Sequence, residues 1–184
     1  MQEKFMNPDS QDKKKKLRSN HSGRTVSMLG MFTAAAMICS YIESLIPINF
    51  GIPGIKLGLA NLVVLLVLYT MGTKEAVAVS ILRIILTGFL FGNMFAILYS
   101  LAGGLLSFLV MLLLKRIGLH MVFVSVAGGI SHNIGQLFVA ALVVDNYNIL
   151  FYIPVLLIAG ILTGLLIGIL SQEVVLRLKG IIGR

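Results

Sequence analysis

Charge is what this sequence has least of. Only 12% of its 184 residues are charged, 58% are hydrophobic, and the mean hydropathy is +0.98. A soluble chain of this size needs about one quarter charged residues to cover its core with solvated groups. A soluble globular domain is therefore excluded, and lipid is the natural solvent. Cysteine is nearly absent as well: Cys39 stands alone inside an apolar stretch, which excludes an internal disulfide and a cysteine-based metal cluster. Acids are few and scattered. Beyond residue 24 they are Glu43, Glu75, Asp145 and Glu173, none beside another, so a multi-site proton relay has nothing to run on. No G-x-x-x-x-G-K-[ST] run is present, so the chain cannot use ATP through a Walker-type loop. Nor is there an arrangement fit for a catalytic triad.

The charge that is present is uneven. Residues 1–24 hold seven Lys or Arg and three acids among Asn, Ser and Gln, the composition of a disordered basic cytoplasmic tail. Without interleaved aromatics or a folded basic face, these lysines mark the flank of a membrane span and not a nucleic-acid site.

With roughly twenty residues needed to cross about 30 Å of hydrocarbon, the remainder divides into six spans. They lie near 26–46, 57–72, 76–92, 94–114, 121–144 and 149–170. The first is too long for a signal core and lacks a clean small-residue cleavage site, so it reads as a retained span. The fold class is accordingly all-α, a polytopic six-helix membrane domain over 25–171. A short amphipathic cytoplasmic segment over 172–184 is expected to lie along the inner interface. With a cytoplasmic N-terminus, 13 of the 15 basic residues fall inside, the exceptions being Lys56 and Arg83. Both termini are thus expected to be cytoplasmic.

Small residues at four-residue spacing mark helix contacts in lipid, where packing replaces hydrophobic attraction. The sixth span has Gly160, Gly164 and Gly168 in register, read as an intramolecular seam ahead of a homodimer face. The first span carries Thr33, Ala34, Ala35, Ala36, Cys39 and Ser40, a smooth surface suited either to internal packing or to docking another membrane subunit.

Intramembrane polar residues must face a partner or a cavity. Arg83 lies mid-span with Ser80 and Thr87 on its helical face. It is either the ion-pair partner of Glu43 or a cation whose planar fork meets an anionic ligand group. The fifth span carries Ser125, Gly128, His132 and Gln136 in one stripe, with Ser131 and Asn133 beside it in GGISHNIGQ, a pattern that predicts a lined cavity. His21 and His120 are too remote to join His132, so no metal is expected. The segment IPINFGIPGIKLGLAN, with Pro47, Pro53 and several glycines, breaks the helical pattern; it is either a plain outside turn or the outer cap of a binding site.

The residues from Pro53 to Asn93, together with SVAGGISHNIGQL in the fifth span, carry a family resemblance. The chain resembles the bacterial membrane proteins called the Gx transporter family, also labelled heptaprenyl diphosphate synthase component I. That family is in turn similar to the S components of energy-coupling factor vitamin transporters, six-helix proteins of the bacterial cytoplasmic membrane with cytoplasmic termini. The resemblance implies that Ala34, Ala35, Ala36 and Ser40 face a transmembrane coupling subunit energised by paired ATPases, although Ser40 replaces the alanine of the family's spacing. It also implies a pocket beneath the first loop lined by Lys56, Asn61, Arg83, Asn93, His132, Asn133 and Gln136. The ligand would be a small anionic or amphipathic solute of vitamin or isoprenoid-precursor type, with no cofactor. The synthase label implies instead an accessory role beside a soluble prenyl synthase in making a menaquinone side chain. Catalysis by this chain is not expected, because prenyl transfer needs clustered aspartates to hold magnesium against a diphosphate.

Overall fold

In a computed structural model of the chain, residues 8–45, 58–145 and 147–182 are described, and every element among them is helical. The helices are α1 (Pro8–Leu45), α2 (Leu59–Thr70), α3 (Thr73–Phe91), α4 (Met94–Arg116), α5 (Met121–Val144) and α6 (Ile153–Ile182), with a 3₁₀ turn at Tyr147–Tyr152 leading into α6. Four stretches are long and apolar enough to cross a membrane: Gly23–Glu43, Met94–Arg116, Met121–Val143 and Tyr147–Leu178. The α3 helix is not among them because it carries Lys74, Glu75 and Arg83.

Two boundaries differ from the sequence reading. The first helix starts at Pro8, so much of the segment read as a disordered tail is drawn into α1. Proline suits a first helical turn, Lys, Arg and Gln lose little rotamer freedom in a helix, and the apolar span removes the cost of nucleation. The α6 helix likewise runs without a break into the segment expected as a separate amphipathic helix. No Gly or Pro interrupts Ser171–Leu178, and Ser171 and Val175 continue the buried face begun by Ile167 at four-residue spacing.

The helices pack as a ring in the order α2, α6, α5, α4, α3, with α1 outside against the α2–α3 seam. The tightest seams flank α5. A Cβ placed on Gly160 would come within 3.0 Å of the Ile130 backbone, on Gly164 within 2.6 Å of Val126 Cα, and on Gly168 within 2.9 Å of Val122 Cα. The three glycines therefore let α6 lie backbone to backbone on α5, leaving that stripe covered within the chain.

From Leu62 to Leu68 the α2 helix is apolar on all sides, and it is buried from Val63 to Leu68, as a stretch without a polar face must be. At 12 residues it spans only about 18 Å, less than the roughly 30 Å of a hydrocarbon core, and one of its ends opens at Gly58. The other is held by Lys115, whose Nζ donates to the Leu68 carbonyl and sits 4.8 Å from the Tyr69 ring centroid. That contact supplies one of the carbonyl partners a helix C-terminus lacks and adds a cation–π attraction. Lys115→Met should cost about 1–2 kcal/mol, seen as a lower thermal midpoint of the detergent-solubilised protein; an unchanged midpoint would mean that the contact contributes nothing.

On α1, Thr33 and Ala36 point inward, with Ala36 at 0% exposure inside the core cluster. Ala35 packs partly against that cluster, Ser40 is half-buried and Ala34 is exposed. The smooth surface is thus split. Its inner edge packs within the chain, while Ala34 joins the outward row of Met31, Ile38 and Leu45.

Candidate functional site

A cleft opens at the centre of the ring where the short α2 ends. Gly58 and Asn61 of α2, Ser107 of α4, Ser125, His132 and Asn133 of α5, and Thr163 of α6 place polar groups on its wall. Its free space, mouth included, is about 410 Å³, but the closed interior holds only about one or two water molecules. In this conformation the cleft is a collapsed polar seam, and a solute must part the helices to enter.

Each polar group is placed by its own element. Asn61 sits in the first turn of α2, and its backbone N–H donates to the Gly58 carbonyl at 2.8 Å. Its side-chain Oδ1 accepts from Arg83 Nη2 at 2.8 Å. Arg83 therefore stands behind Asn61 rather than on the cleft wall. It is 9% exposed, and its Nε has no hydrogen-bond partner among the described residues. A buried guanidinium with a donor left over is an expensive arrangement. Glu43 of α1 lies within electrostatic reach of Arg83, and its carboxylate accepts from the Gly58 N–H.

Across the cleft, Asn133 Nδ2 donates to the Leu156 carbonyl of α6 at 2.9 Å, tying α5 to α6 and fixing the amide that faces the cavity. His132 lies beside it on the wall. Gln136, one turn further along, is wedged against α4: a Cβ on Gly103 would fall 2.6 Å from Gln136 Cγ. Gln136 is 1% exposed, and neither its Oε1 nor its Nε2 has a partner among the described residues. Its amide is thus enclosed between α5 and α4, one turn from His132 and off the cleft wall.

The structure brings Asn61, Arg83, His132, Asn133 and Gln136 to one region between the helices. Two other expected residues are not brought there. Asn93 is exposed at the α3–α4 corner, where its Oδ1 caps α4 by accepting from the Ala96 N–H at 2.8 Å. Lys56, with Pro47 and Pro53 of the expected cap, lies outside the described residues. Thr163 was missed by sequence reasoning although it is the one Ser or Thr in the sixth span. Its Oγ1 donates back to the Ala159 carbonyl at 2.8 Å, the usual resting place of a helical threonine hydroxyl. Ser80, which shares a helical face with Arg83, turns instead into an apolar groove between α3 and α4.

Chemically, the wall offers neutral donors and acceptors backed by one guanidinium. That set can orient a polar or anionic group. Among the described residues no three His, Cys, Asp or Glu side chains converge where a metal ion could be held. The chain matches the family model described as heptaprenyl diphosphate synthase component I over residues 32–174. No curated protein and no solved structure matches it.

Proposed function

Since the chain belongs to the heptaprenyl diphosphate synthase component I family, we propose that it is a six-helix membrane component that binds a small anionic or amphipathic solute in the central cleft and passes it inward with an energising partner. The observation that carries this reading is the Arg83–Asn61 contact at the end of α2. A helix ending inside the membrane presents its positive dipole end there, and such ends are used in transporters to meet anionic substrate groups. Arg83 adds a full charge to that end, and His132 with Asn133 forms the opposite wall. The distribution of basic residues supports cytoplasmic placement of both termini. The row of Met31, Ala34 and Ile38 on α1 is the surface left for a coupling subunit of energy-coupling factor type with its ATPases.

The family's description favours one second reading, a membrane accessory of a soluble prenyl synthase. Chain elongation itself is then the partner's chemistry, because the acids of this chain are too dispersed to hold magnesium against a diphosphate. The two readings part in one experiment: purification of the tagged protein from its native host in mild detergent, with identification of co-purifying proteins by mass spectrometry. A transmembrane coupling subunit with paired ATPases is the expected result. A soluble prenyl synthase in their place, with shortened quinone side chains on deletion of this chain, overturns the transport reading.

A further inference from the structure

The N-terminus of α2 already holds an anion. Gly58, the residue that caps it, adopts a left-handed conformation at φ 73° and has no side chain to close the helix end. A Cβ there would also meet Ile167 Cδ1 at 3.2 Å. The negative charge comes from another helix: the Glu43 carboxylate reaches across from the end of α1 to accept from the Gly58 N–H. The same helix end carries Asn61, which accepts from Arg83 Nη2, while Arg83 Nε stays without a partner among the described residues and 9% exposed. One carboxylate, one guanidinium and one positive helix end thus converge on Gly58 and Asn61, two residues of the cleft wall.

We propose that Glu43 is an internal stand-in for the solute's anionic group, and that an entering anion displaces it from the Gly58 N–H and so loosens the end of α1 from α2. This rests on the reading of the cleft as a solute site. Two carboxylate-like charges cannot share one helix end and one guanidinium at low dielectric without strong repulsion, so one must leave. Binding becomes an exchange of one anion for another, in which the protein never leaves the buried Arg83 unneutralised.

The test uses the full chain in phosphatidylcholine nanodiscs, which present no net headgroup charge, with farnesyl diphosphate as the anionic amphiphile and farnesol as its uncharged counterpart. Glu43→Gln keeps an acceptor for the Gly58 N–H but removes the competing charge, so it should bind farnesyl diphosphate at least tenfold more tightly than the wild type while farnesol binding stays unchanged. Equal or weaker binding by Glu43→Gln overturns the displacement. Should that variant not fold, the native chain gives its own readout through Cys39, one turn before Glu43 on α1 and packed partly against the core. Saturating farnesyl diphosphate should raise its rate of modification by N-ethylmaleimide several-fold, and farnesol should not. An unchanged rate at saturation overturns the displacement equally. If the wild-type chain binds no farnesyl diphosphate, it is the solute-site reading that fails; if it binds and Glu43→Gln gains nothing, that reading stands and the stand-in role falls.

Discussion

Arg83→Ala should insert and fold normally yet bind farnesyl diphosphate roughly a hundredfold more weakly than the wild type, with no loss of farnesol binding. The expected magnitude follows from hydrogen bonds to a charged group, worth about 1.5–3 kcal/mol, of which each 1.4 kcal/mol is about tenfold in affinity. Folding should survive because a central charge costs about 2.5–3.5 kcal/mol on insertion scales, so its removal eases insertion. What remains is a lone pair on Asn61, a group that already borders the cleft and can turn to water, and the Glu43 carboxylate, which keeps its bond from the Gly58 N–H. Arg83→Lys should recover only part of the loss, since an ammonium keeps the charge without the planar fork that reaches Asn61 and leaves Nε for a ligand. Titration in nanodiscs decides it. Wild-type affinity in Arg83→Ala would remove the guanidinium from the site and return it to a purely structural pairing with Glu43.

The second large effect is structural. Gly164→Ile should lower the thermal midpoint of the solubilised protein by roughly 10 °C, taking at least 3 kcal/mol for overpacking and about 2–4 °C per kcal/mol for a chain of this size. The reason is what the new side chain meets: an ideal Cβ at Gly164 lies 2.6 Å from Val126 Cα and 2.9 Å from the Ser125 carbonyl oxygen. These are backbone atoms of the facing helix, which cannot rotate away as a flexible side chain can. Relief requires α5 and α6 to separate, and with them the Asn133–Leu156 contact and one wall of the cleft. Leu165→Ile, one position along and lipid-facing, should move the midpoint by less than about 2 °C as a volume-conserving change. Equal midpoints for the two variants would show that the α5–α6 seam is looser than its geometry.

Much of this architecture is visible in the residues because lipid imposes simple demands. Long apolar runs mark α4, α5 and α6, and three glycines at four-residue spacing mark α6 as one side of a packing seam, though not which helix lies on the other. The polar stripe of α5 is equally plain, since Ser125, His132 and Gln136 have no other business in hydrocarbon. What hydropathy does not separate is burial in protein from burial in lipid. The run from Val63 to Leu68 reads the same either way, yet it forms the most enclosed helix of the bundle. For the same reason the residues of the first span leave Ala36 open between internal packing and docking, and its burial in the core cluster decides for packing.

Other site residues were hidden for local reasons. Asn61 entered only through resemblance, because a lone asparagine beside a turn has many roles and its partner Arg83 lies 22 positions away. Asn93 had a readable alternative, since asparagine before an apolar helix is a strong N-cap, and that is where the structure puts it. The Glu43–Gly58 contact bridges a Pro- and Gly-rich stretch, and nothing in spacing or periodicity joins a carboxylate at the end of one helix to a glycine at the start of the next.

The central claim is that the cleft at the end of α2 holds an anionic solute against Arg83. Native mass spectrometry of the protein purified from its own host, wild type beside Arg83→Ala, tests it most directly. The wild type should retain a defined anionic small molecule or amphiphile at one per chain, and Arg83→Ala should lose it while keeping its bulk lipid. The same adduct on both proteins, or none on either, would contradict the account.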